Sequence, residues 1–272
     1  MVQKIMFRMN EQKIIMKDRN FDDLAEKFER KVYGSLKGDI RQAVIWRDLC
    51  RTMPSIMNGC LRVLDVGGGL GQMSVRLAKL GHQVTYNDIS SNMLSKAKAL
   101  AMKEGVDSRI SFYQCPYQSL VKKDLGDFDL VLCHAIVEWL GKPDELINHL
   151  MQFKSAEGFI SLTFYNHNAL VYRNLIRGNF NLLATEFKAD PGSLTPHSPF
   201  MPEQIEQWSA QHGLFVLLSS GIRVFHDYIT TARGGHNDRD AVITTELKYS
   251  EQAPFKWLGR YIHFMLQVQN DS

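Results

Sequence analysis

Residues Leu61-Arg-Val-Leu-Asp-Val66 run into Gly67-Gly-Gly-Leu-Gly71 and then into the stretch Gln72 to Leu80, which Gly81 closes. The first six form a short β-branched run, the glycines punctuate it, and the last stretch carries helical periodicity, so the segment reads as strand, tight turn, helix. The rhythm continues outward. Strands are expected at Gln83 to Asn87, Ile110 to Cys115, Phe128 to Cys133 and Phe159 to Phe164, with helices at Asn92 to Lys103 and Asp144 to Phe153 and a short one near Ser119. Alternating β and α units of this length imply a parallel sheet with helices on both faces. Upstream, Phe21, Leu24, Ala25 and Phe28 recur at helical spacing, and Ile40, Val44, Ile45 and Leu49 give a second helix from Asp39 to about Arg51.

After Tyr165 the pattern changes. Residues 166–200 hold two expected helices and a proline-containing loop from Asp190 to Pro202, read as a helical insertion capping the active-site edge. A helix from Pro202 to His212, a strand from Phe215 to Phe225, a helix near Asp240 to Ser250 and a strand from Tyr261 to Gln267 complete the chain. Residues 1–15 carry no turn or cap signal joining them to the rest of the chain and are expected to be an extension, leaving one domain over residues 16–272.

Bulk properties narrow the class. With 272 residues, 44% hydrophobic and 22% charged, the chain can bury a full core and is neither disordered nor fibrous. No run approaches the roughly 20 apolar residues of a membrane span, and the N-terminus lacks a secretory h-region, so a cytoplasmic protein with no membrane partner is expected. Cys50, Cys60, Cys115 and Cys133 are scattered, without the short spacing of a zinc or redox site, and no metal is expected. A net charge of +3 requires any nucleic-acid-binding patch to be local.

Ligands of open α/β sheets bind beyond the carboxyl ends of the strands, and the first strand-to-helix turn forms the floor. Here that floor is Gly67 to Gly71, with Gly67, Gly68 and Gly69 as the cofactor-binding candidates. Asp65 precedes it, and Asp88 ends the next strand near the separation expected of a ribose-binding acid. Asp88 is placed to accept from both ribose hydroxyls, and Asp65 to orient a ligand ammonium. Gly69-Leu-Gly71-Gln-Met-Ser74 also approximates a dinucleotide fingerprint, which keeps a nicotinamide oxidoreductase as a rival. A carboxylate at position 65 repels a pyrophosphate and welcomes a cationic sulfonium, favouring S-adenosylmethionine.

Several strings are more specific: Asp18-Arg-Asn-Phe-Asp-Asp-Leu-Ala-Glu-Lys-Phe28, Arg41-Gln-Ala43, His134-Ala-Ile-Val-Glu-Trp139, Phe164-Tyr-Asn166, Gly221-Ile-Arg-Val-Phe-His-Asp-Tyr228 and Gly259-Arg-Tyr-Ile-His263. Through them the chain resembles the bacterial tRNA 5-carboxymethoxyuridine methyltransferases between Met16 and His263. The resemblance implies a Rossmann-like class I methyltransferase with a mostly parallel seven-stranded sheet and S-adenosyl-L-methionine as cofactor. It further implies that Arg41 binds the cofactor's carboxylate, Gly67 and Gly68 its backbone, Asp88 the ribose, Tyr117 and Gln118 the adenine side, and His134 the rim. Residues 1–15 have no counterpart in it, and 182–197 agree poorly.

The acceptor so implied is the carboxylate of 5-carboxymethoxyuridine at the wobble position of a tRNA anticodon loop, which becomes a methyl ester. A carboxylic acid with a pKa near 4 is ionised at neutral pH, so no general base is needed and alignment is the enzyme's task. Tyr165, Arg223, His226 and Arg260 are the substrate-positioning candidates. Tyr165, His167, Tyr172, Arg173, Arg177 and Phe180 interleave aromatic and basic groups as a splayed base and its phosphates require, although an amphipathic helix with a wet face reads the same way. A monomer is expected. The nearest alternative is a small-molecule methyltransferase acting on a carboxylic acid or quinone precursor; a cofactor-binding regulator is a further one.

Overall fold

A computed structural model describes residues 18–20, 22, 35–184, 196, 198–231 and 234–268. The extension expected over 1–15 lies outside them, as do most of the helix expected over 20–28 and of the proline loop.

The run ending in the glycine turn is β1 (Arg62–Val66), a central strand. Successive side chains of a strand point to opposite faces, and β1 obeys: Val63 enters the core on one face and Leu64 and Val66 the core on the other. Around it lie β2 (Gln83–Asp88), β3 (Ile110–Gln114), β4 (Phe128–His134), β5 (Lys154–Tyr165), β6 (Leu214–Ile222) and β7 (Tyr261–Val268), in the order β3-β2-β1-β4-β5-β7-β6. Neighbours among β1 to β5 are parallel, whereas β7 runs antiparallel to both β5 and β6. The chain leaves β1 toward β2 and β3, then returns to β4 on the other side. The crevice at the tips of β1 and β4 is therefore the topological switch point.

One face is covered by α1 (Leu36–Thr52), α2 (Gln72–Lys79), α3 (Ser91–Lys103) and α7 (Arg239–Tyr249), with Ile40, Val44, Leu77, Ala97 and Val242 buried among them. The other is covered by α4 (Leu146–Met151) and α6 (Pro202–Ala210) through Leu146, Leu150 and Ile205. Between β5 and α6, α5 (His167–Ile176) and a single turn at Phe180–Leu183 form the described part of the expected helical insertion. No helix among the described residues is long and apolar enough to cross a membrane.

Three boundaries differ from the sequence reading. The strand expected at Phe159 begins at Lys154, whose ammonium donates to the carbonyls of Ser155 and Ala156 and so lies buried in a strand. The helix expected over 144–153 is a 3-10 turn at Pro143–Glu145 followed by α4. The strand expected to reach Phe225 stops at Ile222, because Arg223 takes φ +61° and the next three amides, of Val224, Phe225 and His226, donate instead to the buried Glu246 carboxylate at 2.8, 3.2 and 2.9 Å.

Candidate active site

The glycine turn is stitched to the tip of β2. Gly67 sits at φ +63°, and a Cβ there would lie 2.2 Å from Ile136 Cδ1. At Gly68 a Cβ would lie 2.5 Å from the Tyr86 ring, so both positions need glycine for space, and Gly67 for conformation as well. The Gly68 amide donates to the Asn87 carbonyl at 3.0 Å, the Tyr86 hydroxyl to the Gly69 carbonyl at 2.6 Å, and the Gly69 amide to Asp88 Oδ2 at 2.9 Å. Asp88 Oδ1 accepts from the Ser90 amide at 2.8 Å at the start of α3. Burial pushes the Asp88 carboxyl upward and these amides partly restrain it.

Asp65 stands differently from its expected place. It is buried on the α2 side of β1, where Ser74 Oγ donates to its Oδ2 at 2.5 Å, and it supports the turn from beneath. Burial, with the nearby Asp88 charge, raises its pKa to about 6 against the pull of Ser74 and Arg41. Its bearing on a ligand is electrostatic, through the turn.

An open cleft lies at the switch point, and Gly67, Asp88, Tyr117 and Gln118 all line it beside Ile136 and Trp139. Two acids, Asp18 and Asp88, stand among mostly apolar walls. Tyr117 is buried with its ring edge-on to His149 at 5.0 Å, which fixes the wall. The segment at residues 18–22 straps the cleft. Asp18 accepts from the Gly141 amide at 2.9 Å and from Gln118 Nε2 at 2.7 Å, the Arg19 amide reaches the Trp139 carbonyl at 3.1 Å, and Asp22 accepts from Ser90 Oγ at 2.6 Å and the Asn92 amide at 3.1 Å.

Arg41 projects from α1 and His134 ends β4, and neither is among the residues that line the cleft. The Arg41 charge reaches Asp65, His134 and Glu138, and its guanidinium lies 5.9 Å from the Tyr261 ring centroid. On the other flank of the same ring, 5.6 Å away, is the Arg223 guanidinium. Tyr261 thus lies between Arg41 and a cationic pocket of side chains.

That pocket gathers Tyr165, Arg223 and Arg260 from the predicted set. Arg260 lies 4.7 Å over the Tyr165 ring, and the two tyrosines pair across β5 and β7 with ring centroids 5.7 Å apart. One carboxylate, Asp227, serves several cations: Arg223 Nη2 at 3.5 Å, Arg260 Nε at 3.9 Å and Lys37 Nζ at 3.4 Å, with Arg173 within electrostatic range. Burial pushes the Asp227 carboxyl up, but these cations outweigh it and hold it below the usual range. Positive charge remains in excess. Buried polar atoms without a hydrogen-bond partner cluster here, at Tyr165 Oη, Arg173 Nε, Arg223 Nε and Arg260 Nη1. Such orphaned donors are costly unless a ligand meets them.

His226, also predicted, stacks on His236 with centroids 5.5 Å apart and stands at the pocket's outer edge. Sequence reasoning gives no role to Asp227 or Asp18, and weighs the buried Glu138 only with His134 as a poor metal-ligand set. Asp227 lies within the Arg-Val-Phe-His-Asp-Tyr string, and Glu138 is an acid inside an apolar run, which is its own signal. Of the interleaved aromatic and basic set, Tyr172 lies edge-on to Tyr228 at 5.2 Å, while Phe180 stands exposed beyond α5. Among the described residues no group of three His, Cys, Asp or Glu side chains is placed to hold a metal ion.

Residues 63–158 match the family model described as a methyltransferase domain. Among solved structures, magnesium protoporphyrin IX methyltransferase from Synechocystis, with bound S-adenosylhomocysteine, is similar at a TM-score of 0.60 and 16% identity, over 92% of this chain and 96% of that one, which establishes the common fold. The ubiquinone biosynthesis O-methyltransferase of Colwellia psychrerythraea is 30% identical, over 60% of this chain and 64% of the relative. The tRNA 5-carboxymethoxyuridine methyltransferase of Escherichia coli (strain K12) is 39% identical over 252 residues, 91% of this chain and 95% of the relative. A likeness of that depth and extent shows that the chain belongs to the tRNA 5-carboxymethoxyuridine methyltransferase family.

Proposed function

We propose that this protein binds S-adenosylmethionine in the cleft at the tips of β1 and β4 and transfers its methyl group to the carboxylate of 5-carboxymethoxyuridine in the anticodon loop of a tRNA. The cationic pocket carries this reading, since Arg223 and Arg260 share the Asp227 carboxylate with Lys37, Arg173 stands within electrostatic range of it, and all three arginines hold N–H groups without a hydrogen-bond partner. An anionic acceptor is the ligand such a pocket fits. Asp88 would hold the ribose, Tyr117 and Gln118 the adenine side, Gly67 and Gly68 the backbone of the turn, Arg41 the carboxylate, and His134 the rim. S-adenosylmethionine supplies an activated methyl group on a sulfonium. The chain's own residues then align an already ionised oxygen with it, with no proton to move, and orientation alone supplies much of the rate. Arg223 and Arg260 hold the acceptor by their guanidinium forks, and Tyr165 forms the floor under Arg260. We place this activity in the cytoplasm, in a monomer whose single domain runs from residue 16.

The 39% relative and the surplus of arginine favour the tRNA acceptor over a quinone precursor, whose phenol does not call for three guanidinium groups. Purified protein and S-adenosylmethionine should add one methyl group to tRNA carrying 5-carboxymethoxyuridine and none to tRNA lacking it, read by mass spectrometry of nucleosides. Equal methylation of both would end the proposal.

The pH dependence of cofactor binding stems from Asp65, whose carboxyl titrates at about 6 in the free protein. A cationic ligand favours the ionised form, which gains population as pH rises, so affinity for S-adenosylmethionine should climb between about pH 5 and pH 7 and then level off. Calorimetric titrations should show this rise, and Asp65→Asn should flatten it. A flat profile in the parent protein would remove Asp65 from ligand electrostatics.

A further inference from the structure

A chain of hydrogen bonds crosses the core from α1 to His134 at the end of β4. Asp48 on α1 accepts from Arg47 Nε at 2.9 Å and Nη2 at 2.6 Å through Oδ1, while its Oδ2 meets His263 Nδ1 at 2.7 Å. His263 Nε2 lies 2.8 Å from Ser161 Oγ, and Ser161 Oγ lies 2.8 Å from His134 Nε2. Asp48, Ser161 and His263 are fully buried, on α1, β5 and β7 respectively.

The polarity of this hydrogen-bond chain is set by its ends. Burial drives the Asp48 carboxyl up, but His263 and Arg47 prevail and keep it ionised. A carboxylate only accepts, so His263 Nδ1 must donate. Arg47 already balances that carboxylate, and a neutral His263 leaves the buried group without surplus charge. His263 Nε2 is then an acceptor, Ser161 donates its hydroxyl to it, and the Ser161 oxygen accepts from His134 Nε2–H. His134 is left with Nδ1 as its lone-pair nitrogen. Burial, together with the Arg41 charge, holds the His134 ring well below the ordinary histidine range, so it stays neutral.

We propose that Asp48, His263 and Ser161 are positioning residues that fix the tautomer of His134, so that its Nδ1 accepts a hydrogen bond from the ammonium group of S-adenosylmethionine. This rests on the proposed place of His134 at the border of the cofactor site. The ammonium shares a carbon with the carboxylate assigned to Arg41, whose charge His134 also feels.

Asp48→Asn gives a test that a merely structural role would not pass. The new amide must keep its oxygen toward the two Arg47 donors, which turns its NH₂ toward His263 Nδ1. That nitrogen becomes the acceptor, the proton moves to Nε2, Ser161 reverses, and His134 carries its proton on Nδ1. The same logic makes asparagine in place of a triad aspartate select the wrong histidine tautomer. Nitrogen-15 NMR of histidine-labelled protein, with the His134 signals assigned through His134→Gln, should show pyridine-type Nδ1 and pyrrole-type Nε2 in the parent and the reverse in Asp48→Asn. Affinity for S-adenosylhomocysteine should fall about tenfold in that variant as one charge-assisted hydrogen bond is lost. Adding Ser161→Ala should abolish the effect of the Asp48 substitution on His134; should Asp48→Asn fail to fold, Ser161→Ala alone should give His134 a mixture of tautomers. An unchanged His134 tautomer in Asp48→Asn, or in Ser161→Ala, overturns the inference. Unchanged S-adenosylhomocysteine affinity in His134→Gln overturns instead the placement of His134 at the cofactor.

Discussion

Arg260→Met is expected to lower kcat/KM for tRNA carrying 5-carboxymethoxyuridine by about 100-fold while leaving S-adenosylhomocysteine affinity within about twofold of the parent. The Arg260 stem packs in the core and its guanidinium lies over Tyr165, so methionine preserves most of the buried apolar surface and removes the fork. What is lost is an N–H group without a partner in the protein, available to the acceptor. A hydrogen bond between charged groups contributes about 1.5 to 3 kcal/mol, and the upper figure corresponds to roughly 10² in rate or binding. Asp227 keeps Arg223 and Lys37 and is not stranded. Arg260→Lys should recover part of the loss, because it restores the charge without the planar fork. Steady-state kinetics with modified tRNA decide the matter, and an unaltered kcat/KM would exclude Arg260 from acceptor binding.

Asp88→Ala should weaken S-adenosylmethionine binding by about 100-fold or more and lower Tm by about 5 °C. Three losses arrive together. The Gly69 amide loses its acceptor, and the glycine turn loosens where it must present its backbone. The Ser90 amide loses its own at the N-terminus of α3. Each unsatisfied buried amide costs about 1–3 kcal/mol, before the third loss, any bond to the ribose, is counted. Asp88→Asn keeps one oxygen and should fall between parent and alanine. Calorimetry and thermal melts separate the two effects; affinity within twofold of the parent would show that the acid is only a structural cap.

The parallel half of the sheet is legible because its strands are dense apolar runs bounded by glycine, proline and polar turns, and burial on both faces demands such runs. The direction of β7 is not legible, since side-chain alternation is the same whichever way a strand runs. Lys154 through Gly158 carry no strand signal, and of them Lys154 pairs with Phe128 of β4 before the register shifts and resumes at Phe159. At the site, Gly67 and Asp88 can be read from spacing, for a turn and a rim acid have fixed places on this fold. Arg41, Tyr117 and Gln118 cannot, and enter only through resemblance; a lone arginine on a helix looks like any solvated charge until the fold turns it toward Tyr261. Asp65 is legible at the turn, but its bond to Ser74 depends on how α2 packs, which spacing does not reveal.

Glu246 has a consequence for how this enzyme divides its labour. Apart from Arg41 on α1, the groups proposed to face the methyl donor are carried on strand tips and the turns after them, fastened by the ladder of the sheet. Arg223, His226 and Asp227 ride on a loop that has left the ladder, and one carboxylate from α7, pinning three consecutive amides, sets where that loop lies. Donor grip and acceptor choice therefore have separate anchorages. A lineage can reshape what the enzyme modifies by altering the loop around its peg, and the machinery that holds the methyl source need not move.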